Sequence, residues 1–121
     1  DVVPVTNPGR AAAAPEAGAC NAALIKVNQV GTVTEAKAAL DAAVTRGWGA
    51  IVSARSGESE DVTIAHLATG WNAGQLKVGS FTRSERMAKW NEMLRTEESL
   101  GADADYAGAS AFAAPIAATL G

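Results

Sequence analysis

A chain of 121 residues has room for one domain, and 48% apolar with 19% charged residues is the composition of an ordinary globular protein, not a disordered one. Ten basic against 13 acidic residues leave a net charge of −3 with no basic run, so nothing points to nucleic acid or to an acidic membrane surface as a partner. No apolar stretch approaches the ~18 residues of a membrane span, and the single Cys20 excludes an internal disulfide.

Aromatic residues make up only 5% of the chain, so its core has to be built from small side chains. The lead-in from Asp1 to Arg10 holds Pro4, Pro8 and Gly9 and reads as extended; Asn7 is placed to cap a short helix whose first position is Pro8. Ala11 to Ala14 favour that helix, and Pro15 and Gly18 interrupt it. Ala22 to Asn28 is the first clear strand, apolar but for Lys26. Thr32 and Glu35 have the spacing of a capping box. The helix they open sets Ala36, Leu40, Ala43 and Val44 on one face, and Gly47 stops it. A second strand, Ala50 to Ser53, runs into an acidic loop. Val62 to Thr69 then reads as a short helix capped by Ser59 or Asp61. Gln75 to Val78 is a third strand. Thr82 and Glu85 repeat the capping-box spacing ahead of a long helix, Arg83 to Leu100, expected to turn Met87, Trp90 and Leu94 inward and to end at Gly101. The organisation expected is therefore a body, residues 1–108, and an Ala-rich tail, residues 109–121.

Strand and helix alternate with connections suited to βαβ crossovers, which makes the strands parallel. The fold class is α/β: a partial β/α barrel of the TIM type, about three parallel strands with flanking helices, not a closed barrel, which takes about eight. The helices beginning at Val33 and Arg83 are expected to cover one face of the sheet. The barrel-interior face, carrying alternate residues of the Leu24, Ile51 and Leu76 strands, is left open. Parallel sheets are normally buried on both faces, so this face implies another polypeptide packed on it.

The second strand delivers Arg55, Ser56 and Gly57 to a loop. A guanidinium offers a planar fork of donors for phosphate or carboxylate, a serine adds a hydroxyl, and glycine lets backbone N–H groups approach an anion. By itself such a loop is as consistent with a solvated turn. Two other stretches accompany it: Leu24-Ile25-Lys26-Val27-Asn28-Gln29-Val30-Gly31-Thr32-Val33-Thr34-Glu35 before it, and Gly74-Gln75-Leu76-Lys77-Val78-Gly79-Ser80 with Arg83-Ser84-Glu85-Arg86-Met87-Ala88-Lys89 after it. In this order the three resemble the enolase family, from Asp1 to about Gly108 and over the C-terminal barrel portion only.

That resemblance implies the glycolytic lyase reaction between 2-phosphoglycerate and phosphoenolpyruvate, with Mg²⁺ as cofactor. It implies that Lys26 matches the base that takes the proton beside the carboxylate. Arg55 and Ser56 match the residues that hold the substrate phosphate. Lys77 matches the lysine near the substrate carboxylate, and Asp1 matches one of three carboxylates that hold the catalytic magnesium. It also implies a cytoplasmic location, although a chain beginning at Asp1 allows a processed, organelle-targeted form.

The departures from the family pattern are specific. Ala54 stands where a histidine is usual, Val2 where an aspartate follows the metal ligand, His66 where an aspartate is usual, and Gly9 where a lysine is common. His66 reads as a partly exposed helix residue, not a ligand. In enolases the general acid and the other metal carboxylates lie upstream, and Asp1 alone is too few ligands for Mg²⁺. Two readings follow. The chain is an enolase-derived, non-catalytic structural or assembly subunit held against a partner chain, or it is the C-terminal piece of a working enolase that needs the N-terminal part. A free-standing anion-binding domain using Arg55, Ser56 and Lys77 is a variant of the first.

Overall fold

Short runs of small and β-branched residues build the sheet. The computed structural model describes residues 21–112. Among these are three strands, β1 (Ala22–Ile25), β2 (Gly49–Ser53) and β3 (Gly74–Lys77), and four helices, α1 (Val27–Val30), α2 (Val33–Val44), α3 (Thr63–Gly70) and α4 (Ser84–Leu100). The strands pair in parallel in the order β1-β2-β3, with Ile25 beside Val52 and Val52 beside Leu76. This is the partial β/α barrel expected from the sequence. The readings at Asp1, Val2, Asn7, Pro8, Gly9, Ala11 to Ala14 and Cys20, and those in the tail beyond Phe112, lie outside the described residues.

The face of the sheet bearing Ala23, Ile25, Ala50 and Val52 is covered by helices. Ala36, Ala39, Leu40 and Ala43 of α2 and Ala65 and Ala68 of α3 are all buried. The α2 cap forms at Thr32, whose hydroxyl accepts the Glu35 N–H at 3.2 Å. Glu35 does not reach back to the Thr32 backbone; its carboxylate takes the Thr32 hydroxyl proton at 2.6 Å instead. Gly47 leaves the helix with φ +74°, where an L-residue would be strained.

Several expectations change. The first strand ends at Ile25, not Asn28, because Lys26 turns the chain and Val27–Val30 coil into one helical turn closed by Gly31 at φ +111°. Val44 is half exposed, and Ala39 takes its place on the inner face of α2. The Thr82–Glu85 box does not form: the N-cap is Arg83, Thr82 contacts Ser80, and Glu85 pairs with the Arg83 Nε at 2.7 Å. Helix α4 packs chiefly on α3, not on the sheet, so the helical cover comes from α2 and α3. Its buried residues are Arg86 and Lys89; Met87 and Trp90 are only half-buried and Leu94 is 64% exposed. Trp90 instead stacks on Phe81 at the surface, ring centroids 5.0 Å apart.

The opposite, barrel-interior face carries Ala22, Leu24, Ile51 and Gln75, all half-buried. A 3₁₀ turn, Gly108–Ala111, lies over its lower end. Gln75 donates to the Ala111 carbonyl at 3.0 Å, and Ala111 stands 3.4 Å from where a Cβ on Gly74 would be.

Leu40 and Val44 separate the two faces of α2 in an experiment. Leu40→Ala removes a buried side chain and is expected to cost about 2–5 kcal/mol. Val44→Ala, on an exposed surface, should stay within about 0.5 kcal/mol. Urea denaturation of both variants beside the parent measures the difference.

Candidate active site

The C-terminal ends of parallel β/α strands are where such folds place their chemistry. Lys26 follows β1, Arg55 and Ser56 follow β2, and Lys77 ends β3. All four line one cavity of about 320 Å³. The strand register explains why. Ser53 lies beside Lys77, and Lys26 comes one step after the Ile25–Val52 pair, so the three strands reach the same level together. Lys26 is buried, 7% exposed, while Ser56 and Lys77 are open to solvent and Arg55 is intermediate.

The rest of the wall comes from Ala54, the Val78-Gly79-Ser80 turn, Arg83 and Arg86. Among the described residues that line it, five side chains are cationic and none is a carboxylate. In a chain of net charge −3 this concentrates positive potential in one cleft, the condition for drawing in a small anion. Arg55 donates to the Asn28 side chain at 3.2 Å, tying the loop after β2 to the turn after β1. The Ala54 N–H donates to the Lys77 carbonyl at 2.9 Å and carries the ladder past the strand ends.

Sequence reasoning found Lys26, Arg55, Ser56 and Lys77 through motif and order. It did not find Arg83 or Arg86 as parts of the wall, nor the Glu58–Lys89 ion pair, 2.9 Å long with the lysine side chain 1% exposed. The available signal was the placement of two cations three residues apart on one helix, which puts both on a single face. His66 is exposed and pairs with Glu92 at 3.1 Å, away from the cavity, as a surface helix residue would.

A cleft of fixed cations at the strand ends of a partial β/α barrel has the charge complementary to an anionic, phosphate- or carboxylate-bearing small molecule. The family model of the enolase C-terminal TIM barrel domain matches residues 1–115. An enolase from Solanum lycopersicum is 54% identical over 112 residues, which is 93% of this chain and 25% of that protein. The chain belongs to the enolase family, within its C-terminal TIM barrel domain, and spans about a quarter of the length of the curated relative it matches.

Enolases use Mg²⁺, a hard cation that takes about six oxygen ligands in near-octahedral array. Among the described residues no group of three or more His, Cys, Asp or Glu is placed to hold a metal. The cavity wall is cationic and would repel one. The described residues do not fit the ion by themselves, and Asp1 lies outside them. No described helix is long and apolar enough to cross a membrane.

At the rim of the acidic loop, the Thr63 N–H donates to the Asp61 carboxylate at 2.9 Å, and Thr63 holds that carboxyl below its ordinary value. A lowered folded value means the contribution is complete above the unfolded aspartate value of about 3.9 and is lost as pH falls below that, through the lowered one. The Thr63 amide resonance is expected to shift only in that acid window. In Asp61→Asn, which keeps the acceptor and removes the titration, the step should vanish from an NMR pH series.

Proposed function

We propose that this chain carries the cationic side of an enolase site, and that the 121 residues alone bind the anionic substrate without turning it over. The observation that carries the reading is the convergence of Lys26, Arg55, Ser56 and Lys77 on one cavity. Arg55 and Ser56 receive the phosphate of 2-phosphoglycerate through a guanidinium fork and a hydroxyl. Lys77 stands toward the carboxylate. Lys26 is the base for the proton on the adjacent carbon, the role that enolase-superfamily sites give to a lysine or histidine beside Mg²⁺. Asp1 is a metal ligand by family correspondence.

Absence of turnover by these residues alone is supported by two features. Among the described residues the cavity wall offers no carboxylate to act as general acid or to gather a metal. Ala54, 6% exposed, occupies the place of the usual histidine and contributes no side-chain donor. Binding without catalysis is also consistent with the structural-subunit reading. The half-buried interior face of the sheet calls for cover in either case, from a partner chain or from the remainder of an enolase barrel.

Titration calorimetry with 2-phosphoglycerate tests the binding. Arg55→Ala is expected to weaken it about 10- to 100-fold, the scale of losing a charge-assisted hydrogen bond of roughly 1.5–3 kcal/mol. Unchanged affinity in Arg55→Ala removes the phosphate assignment. Formation of phosphoenolpyruvate by the purified chain is expected to be undetectable with or without Mg²⁺. Magnesium-dependent turnover that is lost in Lys26→Ala would refute the non-catalytic part. Sedimentation of the chain addresses the structural-subunit reading, for which self-association or a co-purifying chain is expected.

A further inference from the structure

We infer that Arg86 and Lys89 of α4 are positioning residues: they hold the main chain of the Arg55–Ser59 loop in its anion-receiving shape. The inference rests on the proposed phosphate role of that loop and adds the residues that would fix its geometry.

Burying a cation is costly unless its donors are satisfied. Both residues meet that condition, and both do so on the loops of the site. Arg86, 7% exposed, spreads its guanidinium between the Val78 and Ser56 carbonyls, each at 2.9 Å. One planar fork thus joins the turn after β3 to the loop after β2. Gly79 turns the chain beside it at φ +118°, where an L-residue would be strained, although a Cβ there would stand in ordinary contact, 3.6 Å from the guanidinium Nε. An ammonium has three protons to give. Lys89 uses them on the Ser59 carbonyl, the Glu85 carbonyl one turn back, and a Glu58 oxygen, all at 2.9 Å. The other oxygen of Glu58 accepts the Arg55 N–H at 2.6 Å.

The loop has no ladder or helix of its own between Ala54 and Val62. Its main chain is fastened at the Arg55 N–H, the Ser56 carbonyl and the Ser59 carbonyl, and each fastening leads to α4, directly or through Glu58. Docking of α4 on α3 uses other residues, including Glu92 with His66 and Met93 with Thr69. A role limited to anchoring the helix would not require the anchor points to fall on the residues flanking Arg55 and Ser56.

The experiment is residue-resolved amide hydrogen exchange on the full chain and on Lys89→Met, Glu58→Ala and Arg86→Lys, with inorganic phosphate titrated into each. Lys89→Met keeps the volume and drops the donors. Glu58→Ala cuts only the link to Arg55. Arg86→Lys keeps the charge but lacks the fork that reaches two carbonyls. The Arg55 amide is expected to exchange about tenfold faster in the first two, the scale of losing one hydrogen bond to a charged group, with the Val52 amide unchanged. Phosphate affinity is expected to fall in all three. Unchanged exchange at Arg55 overturns the inference, and so does an equal loss of protection at Arg55 and Val52. If Lys89→Met does not fold, Glu58→Ala decides the matter. If the parent chain binds no phosphate, the proposed function fails, while the exchange data still decide whether α4 holds the loop.

Discussion

The Lys89 ammonium and its three acceptors are the constraint on which the site depends. Lys89 is the largest fully buried side chain of the described residues, ahead of Ile25 and Val52. A lysine reaches such a place only where every proton has a partner, and here the partners are two carbonyls and one carboxylate. The long helix is thereby fixed to a loop that has no ladder or helix of its own. That loop brings Arg55 and Ser56 to the cavity, and α4 is linked to them through Glu58 and Arg86.

Around this polar anchor the hydrophobic interior is modest. Among the described residues thirteen hydrophobic ones are buried and nine of these are alanines, with Ile25, Leu40, Val52 and Val78 the larger exceptions. Alanine at Ala36, Ala39 and Ala43 lets α2 lie close to the sheet. The parallel register of the sheet beneath it keeps the strand ends level and brings Lys26, Arg55 and Lys77 to one cleft.

Much of this could be read in the sequence where a local pattern had a single physical meaning. The β-branched run at Ile51 and Val52 was a strand, Thr32 was a cap, and the order of the motifs put the candidate site residues at one end of a parallel sheet. What failed were patterns whose meaning depends on a distant neighbour. Val27 and Asn28 looked like continuing strand, but the turn at Lys26 and the left-handed Gly31 put them in a helical turn. Met87, Trp90 and Leu94 had the spacing of an inner face. Where α4 is most deeply buried, at Arg86 and Lys89, it meets loop carbonyls and a carboxylate, so cations, not apolar groups, are accepted there. Hydrophobic periodicity finds the inner face of a helix only when the opposing surface is itself apolar.

The alanine-rich interior also has a thermal consequence. Heat-capacity change on unfolding scales with the apolar area exposed, and an alanine exposes little of it compared with a leucine or a phenylalanine. A core of this kind gives a shallow stability curve, in which warming and cooling alter the driving force less than in a protein of the same length built on large aliphatic residues. Cohesion then rests more heavily on fixed polar contacts. The temperature response of the fold and the geometry of its cleft are in this way governed by the same few charged side chains.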